Sequence, residues 1–179
     1  VNNSSKLLSI PKKYGVEIDV RDYKNKLILS HDPFIKGETL EKFLKKYTHE
    51  TLIINIKSEF IEFEIIKLLK KFKIKNYFFL DCSFPSLINL TKKGNKNVAL
   101  RVSDYESFST LSEMKYLAKW VWVDCFRNIP LNEKKYKLIK KYRYKICLVS
   151  PELHGRKIGN RNFLKLVREK KIKIDMLCT

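Results

Sequence analysis

The sequence predicts an α/β protein whose strands close into a β/α barrel, and three observations support this. Short, continuously apolar runs alternate with longer segments of helical patterning at nearly regular intervals. Strands that are apolar on both faces need helices over their outer side, which means a parallel sheet. Nearly every run then ends in polar side chains at period-two spacing: Glu17 and Asp19, His31, Asn55 and Lys57, Asp81 and Ser83, Arg101 and Ser103, Asp124, Ser150 and Glu152. With about seven such units a closed barrel is favoured over an open sheet, and in a β/α barrel the carboxyl ends of the strands surround the active site.

The elements follow in chain order. Strands are expected at Val16 to Val20 with Leu27 to Leu29, Leu52 to Ile56, Tyr77 to Leu80, Val98 to Val102, Trp120 to Val123, Ile146 to Val149 and Asp175 to Cys178. Helices fill the gaps: Leu40 to Tyr47 after a Glu38-Thr39 start, Ile61 to Phe72, Pro85 to Lys92, Tyr105 to Leu117, Glu133 to Tyr142 and Asn162 to Lys170. Trp120 and Trp122 alternate before Asp124. They read either as core filling or as an aromatic floor beneath a ligand.

Composition narrows the class. A chain of 179 residues has the length of one domain, residues 1–179, with no obvious place for a linker. With 44% hydrophobic and 32% charged residues it is globular rather than disordered. No apolar run approaches the roughly 20 residues needed to span a bilayer. Cys82, Cys125, Cys147 and Cys178 lie far apart with no CxxC pair, against a zinc site or a secreted disulfide framework, so they read as small buried hydrophobes in a reducing, cytoplasmic compartment. The formal charge of +19 is spread over Lys-rich helical faces such as Glu41 to Tyr47 and Glu133 to Arg143. No zinc-finger spacing or RNP-like aromatic motif accompanies it, so specific nucleic-acid binding is not expected. Such a field draws anionic substrates and supports peripheral contact with anionic lipid surfaces.

The sharpest chemistry lies in the opening third. In Gly15-Val16-Glu17-Ile18-Asp19-Val20 the two acids are two residues apart in a β-branched run, so both side chains leave the strand on one face. The next apolar run, Leu27-Ile28-Leu29, delivers His31 and Asp32 at its end. Paired carboxylates beside an imidazole point to cation binding and proton transfer.

Gly15-Val-Glu17-Ile-Asp19-Val, followed by Lys26-Leu-Ile-Leu-Ser-His31-Asp32-Pro, resembles the signature of the glycerophosphodiester phosphodiesterase family within the phospholipase C-like phosphodiesterases. Ile54-Asn55-Ile56-Lys57 falls where that family has a strand carrying Glu-Ile-Lys. Phe78-Phe79-Leu80-Asp81-Cys82-Ser83-Phe84 matches its strand ending in Ser-Phe, and Ile174 to Thr179 resembles its last barrel strand. The resemblance implies a (β/α)8 TIM-type barrel lacking its first strand in this chain, and a metal-dependent phosphoric diester hydrolase of lipid metabolism. It implies Mg2+ or Ca2+ held by Glu17 and Asp19 with Asn55 in the third position, and His31 as acid and base. Lys57 would act on a phosphate oxygen, and Arg101, Asp81, Asp124 and Glu152 would contact a small phosphodiester substrate.

The chain departs from the family pattern in three ways. The family's His-Arg-Gly element has no counterpart here, and Val1 to Ser5 reads like the loop that would follow it, as expected of a fragment. Asn55 stands where the family has a glutamate, which lowers the charge available to a cation. Of the other histidines, His49 follows a helix as a surface residue, whereas His154 comes just after Ser150-Pro151-Glu152, near the expected barrel mouth. Arg101 opens a metal-free alternative in which a guanidinium stands in for the cation and chelators have no effect; its structural counterpart is a salt bridge to Asp81 or Asp124. Two function classes follow: a phosphodiesterase, or a noncatalytic barrel that binds an anionic phosphate compound or a membrane surface. Oligomeric state is not legible.

Overall fold

In the computed structural model, which describes residues 1–179 apart from the side chain of Asn160, the chain forms two compact units, Val1–Asn95 and Lys96–Thr179. Among the described residues the strands hydrogen-bond in two separate sheets, one of five strands and one of four, with no closed ladder.

The first unit runs α1 (Ser4–Ser9), β1 (Val16–Tyr23), β2 (Lys26–Leu29), β3 (Glu38–Thr39), α2 (Leu40–Leu44), β4 (Leu52–Ile56), α3 (Glu62–Lys71), β5 (Tyr77–Leu80) and α4 (Phe84–Lys92). Its sheet order is β3-β2-β1-β4-β5. The helix-separated strands β1, β4 and β5 are parallel, whereas β1 and β2 form an antiparallel hairpin, so this sheet is mixed. The hairpin turns on Lys24 and Asn25, both at positive φ (48° and 59°), the pattern of a type I′ turn whose twist suits the flanking strands. Two glycines permit close backbone approach: a Cβ on Gly15 would lie 2.5 Å from the Thr51 carbonyl oxygen, and one on Gly37 2.1 Å from that of Leu29. The β1–β4 register sets Glu17 opposite Ile53 and Asp19 opposite Asn55.

The second unit runs β6 (Ala99–Val102), α5 (Ser109–Glu113), β7 (Trp120–Val123), α6 (Glu133–Lys141), β8 (Lys145–Val149), a 3-10 turn (Pro151–His154), α7 (Asn160–Glu169) and β9 (Met176–Cys178). Its four strands are parallel and pair in sequence order. Every residue of β7 is buried, as a strand covered on both faces requires. Trp120 and Trp122 belong to this core.

A shared device ends four of the crossover helices. Lys73, Gly94, Arg143 and Lys171 adopt left-handed conformations just past α3, α4, α6 and α7. The following residue then donates back into the last turn: Ile74 to Leu69, Asn95 to Leu90, Tyr144 to Ile139 and Ile172 to Val167. These are Schellman closures, and three of the four place an apolar residue at the chain's exit.

Some elements differ from expectation. The helix expected over Tyr105 to Leu117 contracts to α5. The Ser103 hydroxyl accepts the backbone N–H groups of Tyr105 and Glu106, and that of Ser107 accepts the N–H of Ser109, which competes with helical pairing. The helix from Leu40 stops at Leu44 rather than Tyr47. α1, whose first two residues fall in the Val1 to Ser5 stretch read from sequence as loop, is capped by the Asn3 side chain, which accepts the Lys6 N–H. All four cysteines are free. Burial pushes the Cys125 thiol up to about 12 and raises those of Cys82 and Cys147 well above the ordinary thiol range, so these three are poor nucleophiles at neutral pH. No helix among the described residues is long and apolar enough to cross a membrane.

Candidate functional site

In the first unit, β1 and β4 bring Glu17, Asp19, Asn55 and Lys57 together. Asp19 is only 7% exposed, while Glu17, Asn55 and Lys57 are half-buried. The Lys57 ammonium lies 3.3 Å from Asp19 Oδ1. The side chain of Asn55 hydrogen-bonds the Glu17 carboxylate. Burial, reinforced by the neighbouring Asp19 charge, pushes the Glu17 carboxyl above its ordinary range, and this outweighs the opposing bond from Asn55 and charge of Lys57. Two buried oxygens, Asp19 Oδ1 and Asn55 Oδ1, accept no hydrogen bond. This site is therefore crowded with acceptors and short of donors.

Asn2, which the sequence did not single out, clamps Asp19 from both sides. Its Nδ2 donates to Asp19 Oδ2 at 2.8 Å and its Oδ1 accepts the Asp19 N–H at 2.9 Å. The segment carrying Asn2 is tied down further along, where Glu38 accepts the Ser4 N–H at 2.6 Å and the Ser4 hydroxyl at 2.8 Å. Burial alone would raise the Glu38 carboxyl, but these two bonds, with the charges of Lys42 and Lys46, hold it below the usual carboxylate range.

His31 and Asp81 are placed differently from this cluster. The His31 side chain is 69% exposed, and its Nδ1 lies 2.8 Å from Asp32 Oδ1. Its link to Asp19 runs through the backbone, since the adjacent Ser30 N–H donates to the Asp19 carbonyl. Asp81 is exposed just past β5, with its backbone at a left-handed φ of 57°. His49 is half-buried, its Nε2 2.9 Å from the Ile10 carbonyl oxygen, rather than a surface group.

In the second unit the strand ends assemble a different cluster around Asp124, which is 2% exposed. Its Oδ1 accepts the indole N–H of Trp122 at 3.2 Å and lies 3.1 Å from His154 Nε2. Its Oδ2 lies 3.4 Å from Arg101 Nε. Asp124, one of the two partners expected for Arg101, forms this salt bridge. The imidazole of His154 packs against Phe126 with ring centroids 4.2 Å apart and the ring planes tilted by 44°. Arg156 donates to the carbonyl of Cys125 at 3.3 Å. Glu152 is exposed and accepts the Thr179 hydroxyl.

Among the described residues, no group of three His, Cys, Asp or Glu side chains is gathered to hold a metal. The donor set of the first unit is two carboxylates and one amide oxygen. Asn55 Oδ1 accepts no hydrogen bond and Asp19 Oδ1 faces the Lys57 ammonium at 3.3 Å, an oxygen-rich face that fits a hard cation taking oxygen ligands.

No protein-family model matches the chain, and no curated protein does. Solved structures do. A Galdieria sulphuraria protein named as a glycerophosphodiester phosphodiesterase is similar with a TM-score of 0.70 at 15% identity, over 97% of this chain and 83% of that one. The glycerophosphodiester phosphodiesterase of Agrobacterium tumefaciens gives 0.67 at 11%, over 91% and 83%. A glycerophosphoryl diester phosphodiesterase of Parabacteroides distasonis gives 0.62 at 13%, over 92% and 71%. At these identities the likeness is one of fold: the chain has the mixed α/β fold of glycerophosphodiester phosphodiesterases.

Proposed function

We propose that this chain is a phosphodiester hydrolase acting on a small glycerophosphodiester-type substrate. The fold likeness supports the reaction class. The single observation that carries the reading is the oxygen-rich face shared by Glu17, Asp19 and Asn55, with the buried Asn55 Oδ1 accepting no hydrogen bond and the Lys57 ammonium 3.3 Å from Asp19 Oδ1. In this reading Glu17, Asp19 and Asn55 hold Mg2+ or Ca2+. The cation, when bound, offsets charge that develops on the phosphoryl oxygens. Lys57 exchanges Asp19 for a phosphate oxygen as a point charge, and His31 moves the proton of the attacking or departing oxygen. Exposure of His31 suits a group that must reach a substrate, and Asp32 at 2.8 Å holds its ring. Arg101, Asp81, Asp124 and Glu152 belong to the substrate-binding side of the proposal. The architecture proposed with it is a (β/α)8 TIM-type barrel, as the family resemblance implies. A peripheral contact with anionic lipid accords with the +19 charge and with the exposed rings of Phe60 and Phe84. The free thiols accord with a reducing, cytoplasmic setting.

The test is turnover of a glycerophosphodiester and of a chromogenic diaryl phosphate, with Mg2+, Ca2+ or a chelator, by the full-length protein. Activity that needs the cation and falls by about 10²-fold or more in H31A supports the reading. Activity indifferent to chelator favours a guanidinium-based site at Arg101, and an H31A variant with unchanged turnover removes His31 from the chemistry. Phosphate binding without turnover favours the noncatalytic alternative.

A further inference from the structure

The cluster at the carboxyl ends of β7 and β8 has a feature that substrate binding alone does not explain. Asp124 is a buried carboxylate whose Oδ1 sits between the Trp122 indole N–H and the His154 imidazole, while its other oxygen faces Arg101. An ionised carboxylate only accepts hydrogen bonds, so the His154 nitrogen facing it, Nε2, carries the hydrogen. In the neutral ring that leaves Nδ1 as the basic nitrogen. Phe126 packs close against the ring, centroids 4.2 Å apart at a 44° tilt, which limits its swing on that side. The side chain is 18% exposed, so it is neither sealed in the core nor free in solvent. Arg101 pairs with Asp124, and Arg156 reaches the carbonyl of the next residue, Cys125, so two guanidiniums stand beside the dyad as groups an oxyanion could engage.

We propose that His154, positioned by Asp124, is a proton-transfer residue acting on a phosphate ester bound at this cluster. The proposal rests on the phosphodiester reading above for its substrate class, and adds a residue to it. As base, Nδ1 takes the proton of an attacking water while the new O–P bond forms, and the imidazolium so produced is stabilised by Asp124 until it passes the proton to solvent. The departing alcohol oxygen takes its proton as its P–O bond breaks from a second acid, the role left to His31 in the phosphodiester reading. No oxidant or further reactant is needed. Asp124 is a positioning residue: it fixes the tautomer and supports the charged ring without touching the ester.

The experiment uses full-length protein and two readouts. The first is turnover of the diaryl phosphate by wild type, H154Q, D124N and, as a control, H49Q, with folding checked by circular dichroism. The proposal expects kcat to fall by about 10²-fold or more in H154Q with KM within a few-fold, the basic limb of the pH profile to move in D124N, and H49Q to match wild type. Turnover in H154Q within a few-fold of wild type overturns it. The second readout is the imidazole nitrogen NMR spectrum of His154 during titration with inorganic phosphate. An Nε2–H tautomer whose Nδ1 resonance shifts saturably supports the proposal, and a His154 that does not respond overturns it. If wild type shows no turnover, the phosphodiesterase reading fails, and the NMR arm still decides whether His154 handles a phosphate.

Discussion

Asp19 and Asp124 occupy like places, each buried near the carboxyl end of a strand in a parallel pairing, yet their surroundings are opposite. Asp19, held by Asn2 and faced by Lys57 at 3.3 Å, shares its face with a second carboxylate and an amide oxygen, so acceptor oxygens crowd together there. Asp124 stands alone among an indole N–H, an imidazole and a guanidinium. Burying a charge costs free energy unless partners compensate it, so the two sites ask for different things. The first is improved by an added cation. The second sets its carboxylate among an indole N–H, an imidazole and a guanidinium, and its Oδ2, like Asp19 Oδ1, faces its cation without a well-aligned hydrogen bond; the positive groups around it suit an added anion. A site's ligand preference thus follows from which kind of group is in surplus.

The contrast is broken most forcefully at Asp124. D124A leaves Arg101 and His154 half-buried without their carboxylate and is expected to destabilise the second unit by about 3–5 kcal/mol, read by denaturant unfolding. A loss below 1 kcal/mol would mean that water already satisfies those donors. Next in size is E38A, which removes both bonds to Ser4 and so frees the segment carrying Asn2. It should cost about 1.5–3 kcal/mol and speed amide exchange over α1. The scaffold supplies a reference of about 1 kcal/mol in the opposite direction. K73G and R143G relieve left-handed backbone at equivalent helix ends in the two units and should each stabilise by that amount, independent of either site. The smallest effect is expected at Glu17, where the sign is the informative part. Its carboxyl is raised above 4.5, so the folded state holds more protons than the unfolded chain from 4.5 up to its raised value, and stability falls as pH rises through that window. E17Q should flatten this slope in metal-free buffer and stabilise the protein at neutral pH. D124N, which removes the charge paired with Arg101, should instead destabilise the protein at neutral pH.

Much of the scaffold is legible in the sequence because strand and helix periods differ so plainly. Leu52 to Ile56, Tyr77 to Leu80 and Trp120 to Val123 coincide with β4, β5 and β7. The pairing of Glu17 with Asp19 follows from period-two alternation alone, and the register adds Asn55 opposite Asp19. What could not be read depends on contacts between distant residues. Nothing local marks Asn2 as the clamp on Asp19, or Ser4 as the partner of Glu38, because each bond closes a long loop. The hairpin of β1 and β2 was hidden because Lys24-Asn25 lacks the glycine that usually signals a type I′ turn. His154 stood near a strand end in sequence, but its partnership with Asp124 exists only once β7 and β8 lie side by side. Serine-rich Ser103 to Ser109 misled in the other direction, since hydroxyls that cap turns also interrupt a helical pattern.

The most direct measurement is a calorimetric titration of the full-length, chelator-treated protein with Mg2+ and Ca2+, beside D19N and D124N. The account predicts saturable binding by wild type and D124N that D19N abolishes, because the crowded acceptor oxygens belong to the face shared by Glu17, Asp19 and Asn55. Absence of binding by wild type, or binding that D19N leaves intact, would contradict it.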